Sequence, residues 1–223
     1  MSVTETMPAG KPVVKEMHSA PVRRVADVVS FVVHPLFVPV YITLFLLYVH
    51  PLLFAGYTDL MKFRLTATIF VNLTMLPAVT VLLCWRLKFV GSVYMETQKE
   101  RIIPLAAAMI FYFWCWFVLK TNGGIPDVFR QFLLGSFITI IGAWLANIAF
   151  KVSLHALAMG GLFCFMLLLT FNVEGSSAQH FTIAVAVAGI VCSSRLIVSS
   201  HRPFDVYAGF FIGAISQLLA MIL

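Results

Sequence analysis

The stretch FRQFLLGSFITIIGAWLANIAF, residues 129–150, carries one charged side chain, Arg130, at its second position. Wound as a helix rising about 1.5 Å per residue, such a run reaches across the roughly 30 Å hydrocarbon layer of a bilayer. In hydrocarbon every backbone N–H and C=O must be satisfied within the chain, and a helix does this unaided. Comparable apolar runs lie near residues 27–50, 65–85, 102–119, 154–172, 181–200 and 203–222. Of the 223 residues, 61% are hydrophobic and 11% charged, with mean hydropathy +0.98. A soluble domain carries about a quarter charged residues, so lipid must solvate most of this surface. The predicted fold is all-α, a polytopic transmembrane helix bundle of six to seven spans. One transmembrane domain covers residues 26–223, and residues 1–25 form a polar arm.

The arm holds Pro8, Pro12, Pro21, Lys11, Lys15, Arg23 and Arg24. It reads as a flexible or interfacial arm and not as a signal peptide, because its polar part is long and the apolar run after it is too long for a signal-peptide core. Pro35, Pro39 and Pro51 make the first span irregular, and His201-Arg202-Pro203 must turn tightly between the last two. The net charge of +6 sits between apolar runs. It therefore points to membrane lipids with anionic headgroups, or to a phosphate substrate, and not to nucleic acid. Cys84, Cys115, Cys164 and Cys192 each lie in an apolar run and read as small hydrophobes. Their spacing suggests neither a disulfide framework nor a metal site.

Alternating spans put the arm and residues 86–101, 150–153 and 200–203 on one face, here called X. Residues 51–64, 120–128 and 173–180 fall on the opposite face, Y. Three polar clusters then converge on X: Lys99-Glu100-Arg101 with Pro104, Lys151 to His155, and Ser194-Arg195 with His201 and Asp205. Ionisable groups at membrane depth are costly and mark functional sites. Arginine and lysine clamp phosphoryl oxygens. A histidine can attack phosphorus if a carboxylate fixes its other nitrogen. His201 and Asp205 stand i, i+4, close enough to share a face. A second histidine, His155, can protonate a leaving alkoxide. Ser153, two residues before it, can meet phosphate at a helix N-terminus.

Ser194-Arg195-Leu-Ile-Val-Ser-Ser-His201-Arg-Pro-Phe-Asp205 resembles the third signature of the type 2 phosphatidic acid phosphatase family, SRxxxxxHxxxD. All four fixed positions agree. The second signature, PSGH, is matched by Val152-Ser153-Leu154-His155 at Ser and His only. The first, KxxxxxxRP, is absent as written, and its nearest counterpart is Lys99-Glu-Arg101-Ile-Ile-Pro104. The chain thus resembles a divergent bacterial membrane branch of that superfamily, over residues 99–213. The resemblance implies His201 as nucleophile, Asp205 as its orienting carboxylate and His155 as general acid. Arg195 and Ser153 would bind phosphate, with Arg101 and Lys99 as weaker carry-overs. Lys151 stands where it can replace the missing first-motif lysine. The family's phosphatase chemistry implies no metal and no cofactor.

Other polar residues read more simply. Arg23, Arg24, Lys62, Arg64, Arg86, Lys88, Lys120 and Arg130 suit snorkelling anchors. His34, before Pro35, suits a kink-stabilising hydrogen bond, and His18, His50 and His180 suit solvated positions. Asn72 and Asn147 suit interhelical hydrogen bonds, and Gly160-Gly161 a close helix approach. The expected function is a lipid phosphate phosphatase. The same site with a lipid hydroxyl as acceptor would be a phosphotransferase, and a bundle without chemistry would be an anion or lipid transporter. Side X holds 11 of the 15 basic residues. Setting aside Lys99, Arg101, Lys151, Arg195 and Arg202 leaves six against four, which leans towards a cytoplasmic X. The resemblance leans outward. The expected location is the cell membrane, as in a bacterial inner membrane; the sequence sets neither the face nor the oligomeric state.

Overall fold

Proline, cap residues and chain polarity divide the apolar runs into helices. The computed structural model describes residues 19–121, 123–198 and 201–223. Its helices are α1 (Ala20–Val32), α2 (Val38–Tyr48), α3 (Asp59–Ile69), α4 (Leu76–Arg86), α5 (Gln98–Lys120), α6 (Asp127–Ala149), α7 (Leu154–Asn172), α8 (Ala178–Ile197) and α9 (Pro203–Ile222). Among the described residues, seven helical segments are long and apolar enough to cross a membrane. The first is α1 with α2, the second α3 with α4, and the others are single helices. This is the all-α polytopic bundle expected of a chain so poor in charge.

The first span breaks where Pro35 dictates. The residue before a proline is pushed out of the α region, and His34 is extended, with ψ 137°. A short 3₁₀ turn, Pro35–Phe37, restarts the helix, and the His34 ring nitrogen Nδ1 accepts the Leu36 N–H at 3.3 Å. The second span contains a π-helical segment, Phe70–Met75, that composition did not foretell. Asn72 lies in it and donates to the Thr68 carbonyl of its own span, not to another helix as expected. Within residues 1–25, read as the polar arm, α1 begins at Ala20 with Pro21 in its first turn, where the missing N–H costs nothing; residues 1–18 lie outside the described residues. The sixth span ends at Ile197, short of residue 200.

The centre of the bundle is α7, which packs along α9 and against α8 and α6. Glycine permits this contact. A Cβ on Gly160 would lie 1.8 Å from the Phe210 carbonyl oxygen, and one on Gly213 would lie 2.0 Å from that of Leu157. The two backbones are therefore in direct contact, as small residues allow between membrane helices. Fully buried Leu46, Ile69, Phe129, Leu133 and Met159 fill the core beside them.

The two ends of the bundle pair as alternation requires. At face Y, Tyr57 donates to the Gly124 carbonyl at 2.6 Å, and His50 Nε2 meets Ser176 Oγ at 3.2 Å. His50 is thus buried, not solvated as its linker position suggested. His180 is half-buried against the Phe45 ring, and His18 lies outside the described residues. At face X, Asn147 and Gln98 exchange side-chain to backbone hydrogen bonds of 2.8 and 2.9 Å, an interhelical pair as read.

Candidate functional site

Each site residue on face X is positioned by a helix start or the linker before it. Thr97 and Glu100 form a capping box at the head of α5. The second carboxylate oxygen of Glu100 accepts the Gly91 N–H at 2.8 Å, tying the 87–97 linker down. The capping box turns Arg101 inward, and it is 6% exposed. Its Nε donates to the Met95 carbonyl at 3.1 Å and its Nη1 to the Val152 carbonyl at 2.8 Å. Met95 has φ 46°, a left-handed conformation that costs a side-chain-bearing residue roughly 1–2 kcal/mol. The linker accepts that strain and delivers a carbonyl to a buried guanidinium. Lys99, on the outer side of the same turn, is exposed.

The 150–153 linker brings the second and third clusters together. Ser153 caps α7, its hydroxyl accepting the Ala156 N–H, and its own N–H donates to the Asp205 carbonyl at 3.2 Å. Ser153 is fully buried, so it holds α7 to α9 by hydrogen bonds already made. One residue earlier in α9's approach, the chain turns so that His201 Nδ1 lies 3.0 Å from the Lys151 carbonyl oxygen. A carbonyl only accepts, so Nδ1 carries the proton and Nε2 carries the lone pair. Asp205, in the first turn of α9, receives the Arg202 N–H at 3.0 Å. Its Oδ2 stands 3.9 Å from His201 Nδ1. The hydrogen bond that orients the imidazole is therefore supplied by a backbone carbonyl, with the carboxylate just behind it.

Arg101, Lys151 and Arg195 all exert their positive charge on His201. Burial first, and then these three cations, push its imidazole down to about 3, against a smaller opposing effect of the Lys151 carbonyl. Lys151, half-buried, is itself lowered, by burial and then by Arg101. Five of the sequence-predicted residues thus share one electrostatic neighbourhood: Arg101, Lys151, Arg195, His201 and Asp205. The His201 and Asp205 side chains are 3% and 9% exposed, whereas Lys151 and Arg195 are half-buried.

His155, in the first turn of α7, faces the first span. Its Nε2 lies 2.9 Å from the Ser30 carbonyl, and its ring stands edge-on to His34 with centroids 5.4 Å apart. The Asp27 carboxylate on α1 acts on Arg195. No family motif falls on the first two spans, yet α1 of the first borders the site. His34 was legible as a histidine before a proline on face X, but its contact with His155 was not. Among the described residues no group of three or more His, Cys, Asp or Glu forms a metal cage.

Compared with protein-family models, with curated proteins and with solved structures, the chain finds no match. Its chemistry must be read from the site alone.

Proposed function

We propose that this protein hydrolyses the phosphomonoester or diphosphate of a membrane lipid at face X, as the resemblance to type 2 phosphatidic acid phosphatases suggests. One observation carries the reading. His201 has its Nδ1–H engaged by the Lys151 carbonyl, which leaves the Nε2 lone pair free as nucleophile, and three cations that suit phosphoryl oxygens are near enough to act on the ring.

The headgroup enters among Arg101, Lys151 and Arg195 while the lipid chains stay in hydrocarbon. His201 Nε2 attacks phosphorus. The Nε2–P bond forms as the bond from phosphorus to the lipid oxygen breaks, and that oxygen takes a proton from His155. Asp205, 3.9 Å from Nδ1, stabilises the positive ring that results. Water then attacks phosphorus and returns a proton to His155, the Nε2–P bond breaks, and phosphate leaves. With its side chain 3% exposed, His201 has little contact with bulk water. That favours a second reading, in which a lipid hydroxyl accepts the phosphoryl group. The setting we propose for either reaction is a bacterial inner membrane.

The test is phosphate release by the purified protein in detergent, across a panel of lipid phosphates with and without an acceptor lipid. We expect release from one lipid class, lost by roughly a thousandfold or more in His201→Ala. Full activity of His201→Ala would sink the mechanism. Phosphate moved to the acceptor lipid, in place of free phosphate, would favour transfer.

A further inference from the structure

The break at Pro35 has a consequence at face X. The last four carbonyls of a helix lack intrahelical donors. Because α1 ends at Val32 and His34 is extended, the Ser30 carbonyl has no N–H four residues on to accept. His155 supplies the missing donor, Nε2–H to the Ser30 oxygen at 2.9 Å. His34 sits at the same end of α1, fixed by the Leu36 N–H on its own Nδ1. Its ring meets the His155 ring with planes at 79°. The opposite side of α1 shows Val25, Val28 and Phe31 to the outside, 64%, 61% and 80% exposed. So the Ser30 carbonyl and the His34 ring face the cluster, while Val25, Val28 and Phe31 face outward.

We infer that α1 seats the general acid: the Ser30 carbonyl and the His34 ring hold His155 so that its Nδ1 delivers the proton to the leaving lipid oxygen. This rests on the phosphatase reading above. The Ser30 carbonyl occupies Nε2–H, so among the described residues Nδ1 is the nitrogen without a hydrogen-bond partner. When His155 carries both protons, the carbonyl stabilises the imidazolium, as a carboxylate does in a triad. On proton donation the Nδ1–H bond breaks, the new O–H bond forms on the leaving alcohol, and His155 returns to its neutral Nε2–H form. His34 is a positioning residue. It touches the acid, and the acid touches the substrate.

A residue acting through the general acid matters for a leaving group that needs a proton and little for one that does not. The experiment compares an alkyl phosphate with a nitrophenyl phosphate bearing the same chain, using the full-length protein in detergent. His34→Asn retains a side-chain acceptor for the Leu36 N–H, so the 3₁₀ turn stays capped while the ring is lost. We expect its kcat on the alkyl ester to fall roughly tenfold to a hundredfold with KM unchanged, and its kcat on the aryl ester to change less than about twofold. His34→Phe restores a ring and should recover most of the alkyl activity. An equal loss on both esters, no loss on either, or no recovery with Phe would overturn the inference while leaving the phosphatase reading standing. A wild-type protein releasing phosphate from neither ester, or one matched by His201→Ala, would overturn the phosphatase reading and this inference together.

Discussion

At the scale of residues, the site histidine is tuned by what surrounds it. In an unfolded chain His201 would protonate near 6.5, whereas the folded protein holds it neutral down to about 3. Between those values the unfolded state binds more protons. The stability His201 contributes is therefore complete above about 6.5 and is lost as pH falls towards 3. His50 at face Y has the same sign, lowered by burial and then by His180. Its Nδ1 accepts the N–H groups of Leu52 and Leu53, contacts that an added proton would forbid. The thermal midpoint in detergent should fall between pH 7 and pH 4, and His201→Gln should flatten part of that fall. A slope identical in wild type and His201→Gln would show that His201 is not held neutral. A second prediction separates the carboxylate's charge from its cap. Asp205→Asn keeps an oxygen for the Arg202 N–H, so melting should change little, while phosphate release should fall roughly tenfold or more through loss of the negative charge. Release unchanged in Asp205→Asn would remove Asp205 from the mechanism. The spacing from Ser194 to Asp205 was legible from side chains alone. The partner that orients His201 was not, because it is the Lys151 backbone carbonyl, and backbone groups leave no mark in a sequence.

At the scale of elements, the α7–α9 contact sets the site, since His155 begins one helix and His201 precedes the other. Gly160→Ala places a Cβ against the Phe210 carbonyl, which is backbone and cannot rotate away. We expect it to destabilise the protein by about 1–3 kcal/mol or more and to lower activity with it. Gly189→Ala in α8 meets nothing within 4 Å and should stay within about 1 kcal/mol of wild type. Comparable melting of both variants would mean that α7 and α9 do not touch as described. The need for Gly160-Gly161 was readable as a pair of small residues in an apolar run. Their partners on α9, Phe210 and Gly213, become identifiable only when α9 lies beside α7. Asn72 misled for the opposite reason: polar atoms in a span can be satisfied by the helix that carries them.

At the scale of the molecule, seven spans place the 87–97 linker and the 173–177 linker at opposite ends of the bundle. Tyr94 is 81% exposed and Glu174 is exposed. Tyr94→Cys and Glu174→Cys should therefore react with a membrane-impermeant maleimide from opposite sides of sealed vesicles. Cys84, Cys115 and Cys164 are buried and should give little background, and Cys192, half-buried, is changed to Ser in both variants. Both variants labelling from one side would refute the odd number of crossings. The side on which Tyr94 reacts also gives the face of the proposed site, which basic-residue counts and family resemblance left opposed.

Hydropathy, charge placement and motif spacing establish the solvent of this protein, its helical class, the approximate spans and the convergence of three polar clusters on one face. These follow from the chain's own chemistry, because a backbone in hydrocarbon has few ways to satisfy its hydrogen bonds. Which atoms meet within that face is a different matter. The Lys151 carbonyl on His201, the Met95 and Val152 carbonyls on Arg101, and the Ser30 carbonyl and His34 ring on His155 all join segments distant in sequence or use backbone atoms. Such contacts depend on how closely helices approach and where each one ends. Packing settles the first and the break at Pro35 helps settle the second, so the first span, silent in every motif, comes to rest against the site.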